Sequence, residues 1–315
     1  MPVEPMPTGE FRMVQQQSAF AYTQVEAGEE GAKASSVGDI RLVTMLLGGL
    51  AGAGIAARSY DLKYLNQWLV FAIVAVLLGV AAGESFGFGL SRWAEVRQFH
   101  PVKRWRVWFS ILVVLLLAAG LIAATPYVFG DGSSSDVTPT DNLTENGIAF
   151  SALAILGGLP IALTLSAIKQ VVRFPLPGGP GQQLDGILRL RRMASRMLSQ
   201  LGLLVLLVMG VNAASIGWGG TTQNPNVAIF SGVVASVIVG SMYVPTASNL
   251  RKRGAIYVER YFPLATVPVS GLIVAAEDRG KLEKMLGLDQ TTFGELKAGL
   301  VVLAPVVAGA VASLI

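Results

Sequence analysis

One carboxylate sits where a carboxylate is expensive. Glu84 falls inside the apolar run 67–89, and it is the only acid well inside a firm run of this chain. An ionisable group in hydrocarbon is a functional hypothesis by default. In a proton or cation pathway, Glu84 would be the exchangeable group. The competing reading is structural. Glu84 stands near the inner end of its run, one residue before Ser85. A long side chain there reaches the interface or pairs with an arginine from a neighbouring inner loop. Gln200 and Asn212, at the start of and within a later run, complete the candidate intramembrane polar set. Such amides line a solute path or cross-link helices by hydrogen bonding.

Other chemistry is poorly provided for. With no cysteine there is no disulfide, thiolate or cysteine-ligated metal. The single histidine, His100, rules out a multi-histidine centre within the chain. Asp131, Asp136, Asp141 and Glu145 share one loop but miss the calcium-loop spacing, which wants a glycine at the sixth position and a carboxylate at the twelfth. There is no Walker loop, zincin motif or nucleophile elbow. Carboxylates alone can catalyse, but no pair falls at one depth. The residues nominate no catalytic group and no metal ligand, and they identify no cofactor.

The elements that must position Glu84 are membrane helices. Of 315 residues, 52% are hydrophobic and 14% charged, and the mean hydropathy is +0.57. A soluble domain carries about 25% charged residues. The apolar runs are unbroken, whereas barrel strands alternate. The expected fold is all-α: a polytopic transmembrane helix bundle of about seven spans, built from hairpins with cytoplasmic amphipathic linkers. Runs lie near 42–57, 67–89, 107–129, 147–168, 199–218, 226–246 and 295–315. The first is short and Gly-rich. Thr292 and Glu295 have capping-box spacing at the start of the last, and Pro160 and Pro305 are candidate kinks.

Orientation follows Lys and Arg. Segments 91–106, 169–196 and 247–262 hold five, six and four of them, whereas 130–146 and 219–225 hold none. The inner linkers are therefore near 91–106, 169–198 and 247–292, and the outer loops near 130–146 and 219–225. Residues 1–40 form a polar cytoplasmic arm and 41–315 the bundle. Arg58 and Lys63 sit uneasily in an outer loop. The expected location is an inner membrane, bacterial-type or organellar, with the N-terminus cytoplasmic and the C-terminus opposite.

Two linkers share a pattern. "FPLPGGPGQQLDGILRLRRMASRML" and "FPLATVPVSGLIVAAEDRGKLEKML" align without a gap at Phe174/Phe262, Pro175/Pro263, Leu176/Leu264, Pro180/Pro268, Leu184/Leu272, Met197/Met285 and Leu198/Leu286. The pattern hints at a repeating unit of linker plus hairpin. The apolar part of the second, 263–276, is too short to span and is expected at the inner face; a crossing there would reverse the C-terminus.

Packing faces are visible as small residues four apart. Gly79, Gly83 and Gly87 form one row and Gly232, Ser236 and Gly240 another. Gly48, Gly52 and Ala56, and Ala304, Ala308 and Ala312, repeat the spacing. They hold a bundle together or meet another chain. Anionic lipid headgroups are the expected partners of Arg104, Arg106, Arg189, Arg191, Arg192, Arg251, Lys252 and Arg253. Trp93, Phe99, Trp105 and Trp108 beside them form an interfacial belt, so nucleic acid is not expected. Scarce intramembrane polar groups and several small-residue faces favour a non-catalytic membrane subunit or scaffold, assembled with other membrane chains or with copies of itself. A channel or transporter for a small solute or ion through Glu84 is the alternative. A membrane-embedded lipid-modifying enzyme is the remote one.

Overall fold

The computed structural model describes residues 40–60, 65–99, parts of 105–120, 141–216 and 226–289. Every regular element among them is helical. Helices are what long apolar runs must form in hydrocarbon, where backbone groups find partners only within the segment. In chain order they are α1 (Ile40–Ala57), α2 (Leu65–Phe99), α3 (the helical residues between 105 and 120), α4 (Asp141–Val171), α5 (Pro180–Ile216), α6 (Asn226–Tyr261) and α7 (Leu272–Met285). The chain divides between Val43 and Thr44. Of the first unit, the described residues form one helical turn with Ile40, Leu42 and Val43 exposed. The second unit, Thr44–Ile315, holds the rest of α1 and all the other described elements.

Among the described residues, five helices are long and apolar enough to cross a membrane: Ile40–Ala57, Leu65–Arg97, Asn146–Val171, Pro180–Ser215 and Gly232–Tyr261. They suggest a membrane location. Their surfaces agree, because Leu46, Leu50, Ile73, Leu77, Leu156 and Val233 are all exposed on these helices; a water-facing bundle rarely shows so much contiguous apolar surface. The expected count of seven is not confirmed among the described residues. The last run, with its capping box and Pro305, lies outside the described residues, as does part of 107–129.

The basic linkers differ from expectation. They are not separate surface helices: 91–99 prolongs α2, 180–198 opens α5 and 247–261 prolongs α6. The reason is that Arg, Glu, Leu and Met are good helix formers, so leaving the apolar run is no signal to stop. At 35, 37 and 36 residues, α2, α5 and α6 are each roughly 50–55 Å long, against about 30 Å of hydrocarbon. Proline supplies the real breaks. α4 ends before Pro175 and Pro177, and α5 starts with Pro180 at its first turn, where a missing N–H costs nothing. Likewise the outer loop ends earlier than expected, since α4 already begins at Asp141.

The segment 263–287 holds no helix long and apolar enough to cross a membrane. Two single 3-10 turns, Leu264–Thr266 and Val269–Gly271, lead into α7, which has 14 residues, about 21 Å. α7 closes with a Schellman motif: Leu288 N donates to the Glu283 carbonyl (2.9 Å) and Gly287 N to that of Lys284 (3.0 Å). Gly287 has φ +58°, a conformation glycine adopts without strain.

Candidate functional site: a polar joint between α2 and α5

α2 packs on α1, α4 and α5. Against α5 it runs antiparallel. A Cβ on Gly210 would touch Val74 (3.3 Å), Gln200 meets Glu84 and Ser85, and Arg189 meets Glu95. These meeting points recur about every eleven residues, three helical turns, so one face of each helix makes all of them.

At the middle point the structure joins two of the three expected polar residues. Gln200 Nε2 donates to Glu84 Oε1 at 3.4 Å, and Ser85 Oγ donates to Gln200 Oε1 at 3.4 Å. Ser85 is fully buried, and Glu84 and Gln200 are half-buried. The amide serves as a bridge, using its donor on the carboxyl and its acceptor on the hydroxyl. Asn212 does not join them. It lies three turns further along α5, about 18 Å away, and its carbonyl accepts from Ser215 Oγ (2.7 Å). One carboxyl, one amide and one hydroxyl can pass a proton or tie two helices. They do not make a metal centre, and no group of three His, Cys, Asp or Glu with that geometry occurs among the described residues.

Sequence reasoning missed most of the other buried polar joints. Thr164 Oγ1 lies 3.1 Å from the Gly89 carbonyl on α2 and 2.8 Å from that of Pro160. Thr246 Oγ1 donates to the Leu165 carbonyl on α4 (3.1 Å). Asn146 Nδ2 donates to Ser59 Oγ (2.9 Å). Single hydroxyls in apolar runs carry no pattern that announces a partner. Glu95 was missed as well, although its three-turn spacing from Glu84 was a usable signal.

The basic residues divide. Arg189 pairs with Glu95, which Arg92 also contacts at 2.5 Å. Arg191 Nη1 donates to the Met285 carbonyl at 3.4 Å, and its guanidinium lies over Gly287, where any Cβ would collide with it. That places a cation at the C-terminus of α7, where the helix dipole is negative. Arg192 is exposed, 4.0 Å from Asp185. Lys252 is exposed, and Arg251 and Arg253 are half-buried. Arg104, Arg106 and His100 lie outside the described residues. Trp105 and Trp108 are exposed, while Trp93 and Phe99 pack on the core.

The small-residue rows resolve into contacts. A Cβ on Gly79 would collide with the Gly48 carbonyl, one on Gly83 with that of Thr44, and one on Gly52 with that of Ala75. The two rows therefore face each other within the chain, antiparallel and backbone to backbone. Gly87 is buried further along α2. On α6, a Cβ on Gly232 would meet the Met209 side chain, and Ser236 and Gly240 are half-buried. The row 304/308/312 lies outside the described residues. α2 and α4 are equally close, since a Cβ on Gly157 would come within 2.7 Å of Ala82 and one on Gly89 within 2.7 Å of Pro160.

A cavity of about 20 Å³ lies between α4 and α6, lined by Ile111, Ala162, Ser166, Lys169, Ser241, Met242, Pro245 and Thr246. It has room for about one or two water-sized groups.

Compared with protein-family models, with curated proteins and with solved structures, the chain matches none.

Proposed function

We propose that this chain is a non-catalytic integral-membrane subunit or scaffold of a larger membrane assembly, with seven spans and the basic helix extensions on the cytoplasmic side. One observation carries the reading. The helices approach backbone to backbone, and Ser85, Gln200, Thr164 and Thr246 bond across helix joints. A cavity of about 20 Å³ holds no solute larger than water. A rigid bundle with three helices prolonged on one side suits a chain that holds other chains in place. Exposed basic residues there, Arg192 and Lys252 among them, favour anionic headgroups at the same face.

The test is flux. The purified chain, reconstituted alone into vesicles, is expected to pass neither protons nor alkali cations above the level of empty vesicles. The polar joint favours the second reading, a transporter using Glu84. A flux that Glu84→Gln abolishes would establish that reading and sink the first. Charge reversal of Arg189, Arg191 and Arg192 together should weaken association with anionic vesicles, and unchanged association contradicts the headgroup assignment.

A further inference from the structure

Lys169 is the half-buried cation that sequence reasoning passed over. It stands in the last turn of α4, at the basic end of that span, and lines the cavity between α4 and α6. It has no hydrogen-bond or ion-pair partner among the described residues, and neither has the hydroxyl of Ser166, a buried residue beside it. A half-buried ammonium favours a counter-charge. The two groups leave donors turned on one small space.

The opposite wall offers acceptors. Thr246 Oγ1 spends its proton on the Leu165 and Met242 carbonyls, at 3.1 and 3.2 Å, and Ser241 Oγ spends its own on Ile238 at 2.7 Å. Their lone pairs remain. Pro245 has no N–H, so the Ser241 carbonyl lacks its usual helical donor. Donors on α4 thus face acceptors on α6 across room for about one or two oxygen-sized groups. Ser241 is exposed, so the space opens on the lipid-facing side of the bundle.

We propose that this mouth seats the phosphate of an anionic phospholipid carrying headgroup hydroxyls. A phosphate oxygen enters to Lys169 Nζ and Ser166 Oγ, and one headgroup hydroxyl donates to the Ser241 carbonyl or the Thr246 oxygen. The proposal rests on the membrane reading above. A choline headgroup brings a second cation and no donor, so it fits the same groups poorly. This is a defined site, distinct from the diffuse attraction of exposed arginines.

The full chain in mild detergent, stripped of lipid, would be titrated with short-chain phosphatidylglycerol, phosphatidylcholine and inorganic phosphate, with bound lipid counted by native mass spectrometry. One phosphatidylglycerol is expected to bind in preference to phosphatidylcholine. Lys169→Gln should weaken it roughly tenfold or more and Ser166→Ala roughly threefold, as expected for charged and neutral hydrogen bonds. Lys169→Arg, which keeps the charge, should retain binding and guards against a folding artefact. Arg192→Gln should leave this lipid bound, because it removes only diffuse attraction. Inorganic phosphate binding as tightly and with the same dependence on Lys169 would assign the site to free phosphate and overturn the lipid. Equal binding of phosphatidylglycerol by wild type and Lys169→Gln would overturn the site while leaving the membrane reading intact. A chain that stays monodisperse in buffer without detergent would overturn both.

Discussion

The row Gly79–Gly83 on α2 and the row Gly232–Ser236–Gly240 on α6 are written in the same sequence pattern, yet they make different contacts. The first meets a second small-residue row, Gly48–Gly52, so two backbones touch. The second meets Met209 at Gly232, where a long flexible side chain fills the gap. Small residues four apart mark a face that allows close approach. How close the approach becomes depends on what stands opposite. Where both faces are small, as between α1 and α2, backbone meets backbone and neither helix can yield.

That difference is open to attack in order of size. Gly83→Leu should be the most damaging, costing about 3 kcal/mol or more, because the added side chain meets the Thr44 carbonyl and α1 must move away. Reversible unfolding in mixed micelles would read it. Gly79→Ala should cost about 1–3 kcal/mol by the same collision with the Gly48 carbonyl. Gly232→Ala should cost less than about 1 kcal/mol, since the Met209 thioether can turn aside. Gly54, with nothing within 4 Å of its Cβ position, should accept alanine with no loss and a gain of up to about 1 kcal/mol in helix propensity. Equal costs at Gly79 and Gly232 would remove the distinction between the rows.

The paired Phe-Pro-Leu segments teach how far sequence reached. Their shared prolines do mark breaks after α4 and after α6, and the helix breaks follow from a missing N–H and a fixed φ. The breaks then diverge. α5 starts at Pro180 and runs unbroken into its apolar stretch, whereas at Pro268 a 3-10 turn intervenes, α7 begins at Leu272 and Gly287 stops it. Met197 is fully buried and its counterpart Met285 is exposed, although Leu198 and Leu286 are both buried. Local signals were legible: apolar length and proline. What runs beyond the membrane was not, because charged helix formers prolong a helix as readily as they end an apolar run. Glu84 and Gln200 were individually legible as costly residues. Their meeting was not, since it depends on the antiparallel register of α2 and α5, which is set by packing along the whole interface. Lys169 was hidden for the same reason. It counted as one more basic residue of a linker until α6 was beside it.

The central claim is that this bundle serves an assembly rather than a passage. The most direct measurement is the mass of the particle extracted from its native membrane in mild detergent, with every co-purifying chain identified. A large particle of fixed composition, retained through successive purification steps, is the result this account predicts. A lone chain carrying only lipid would contradict it.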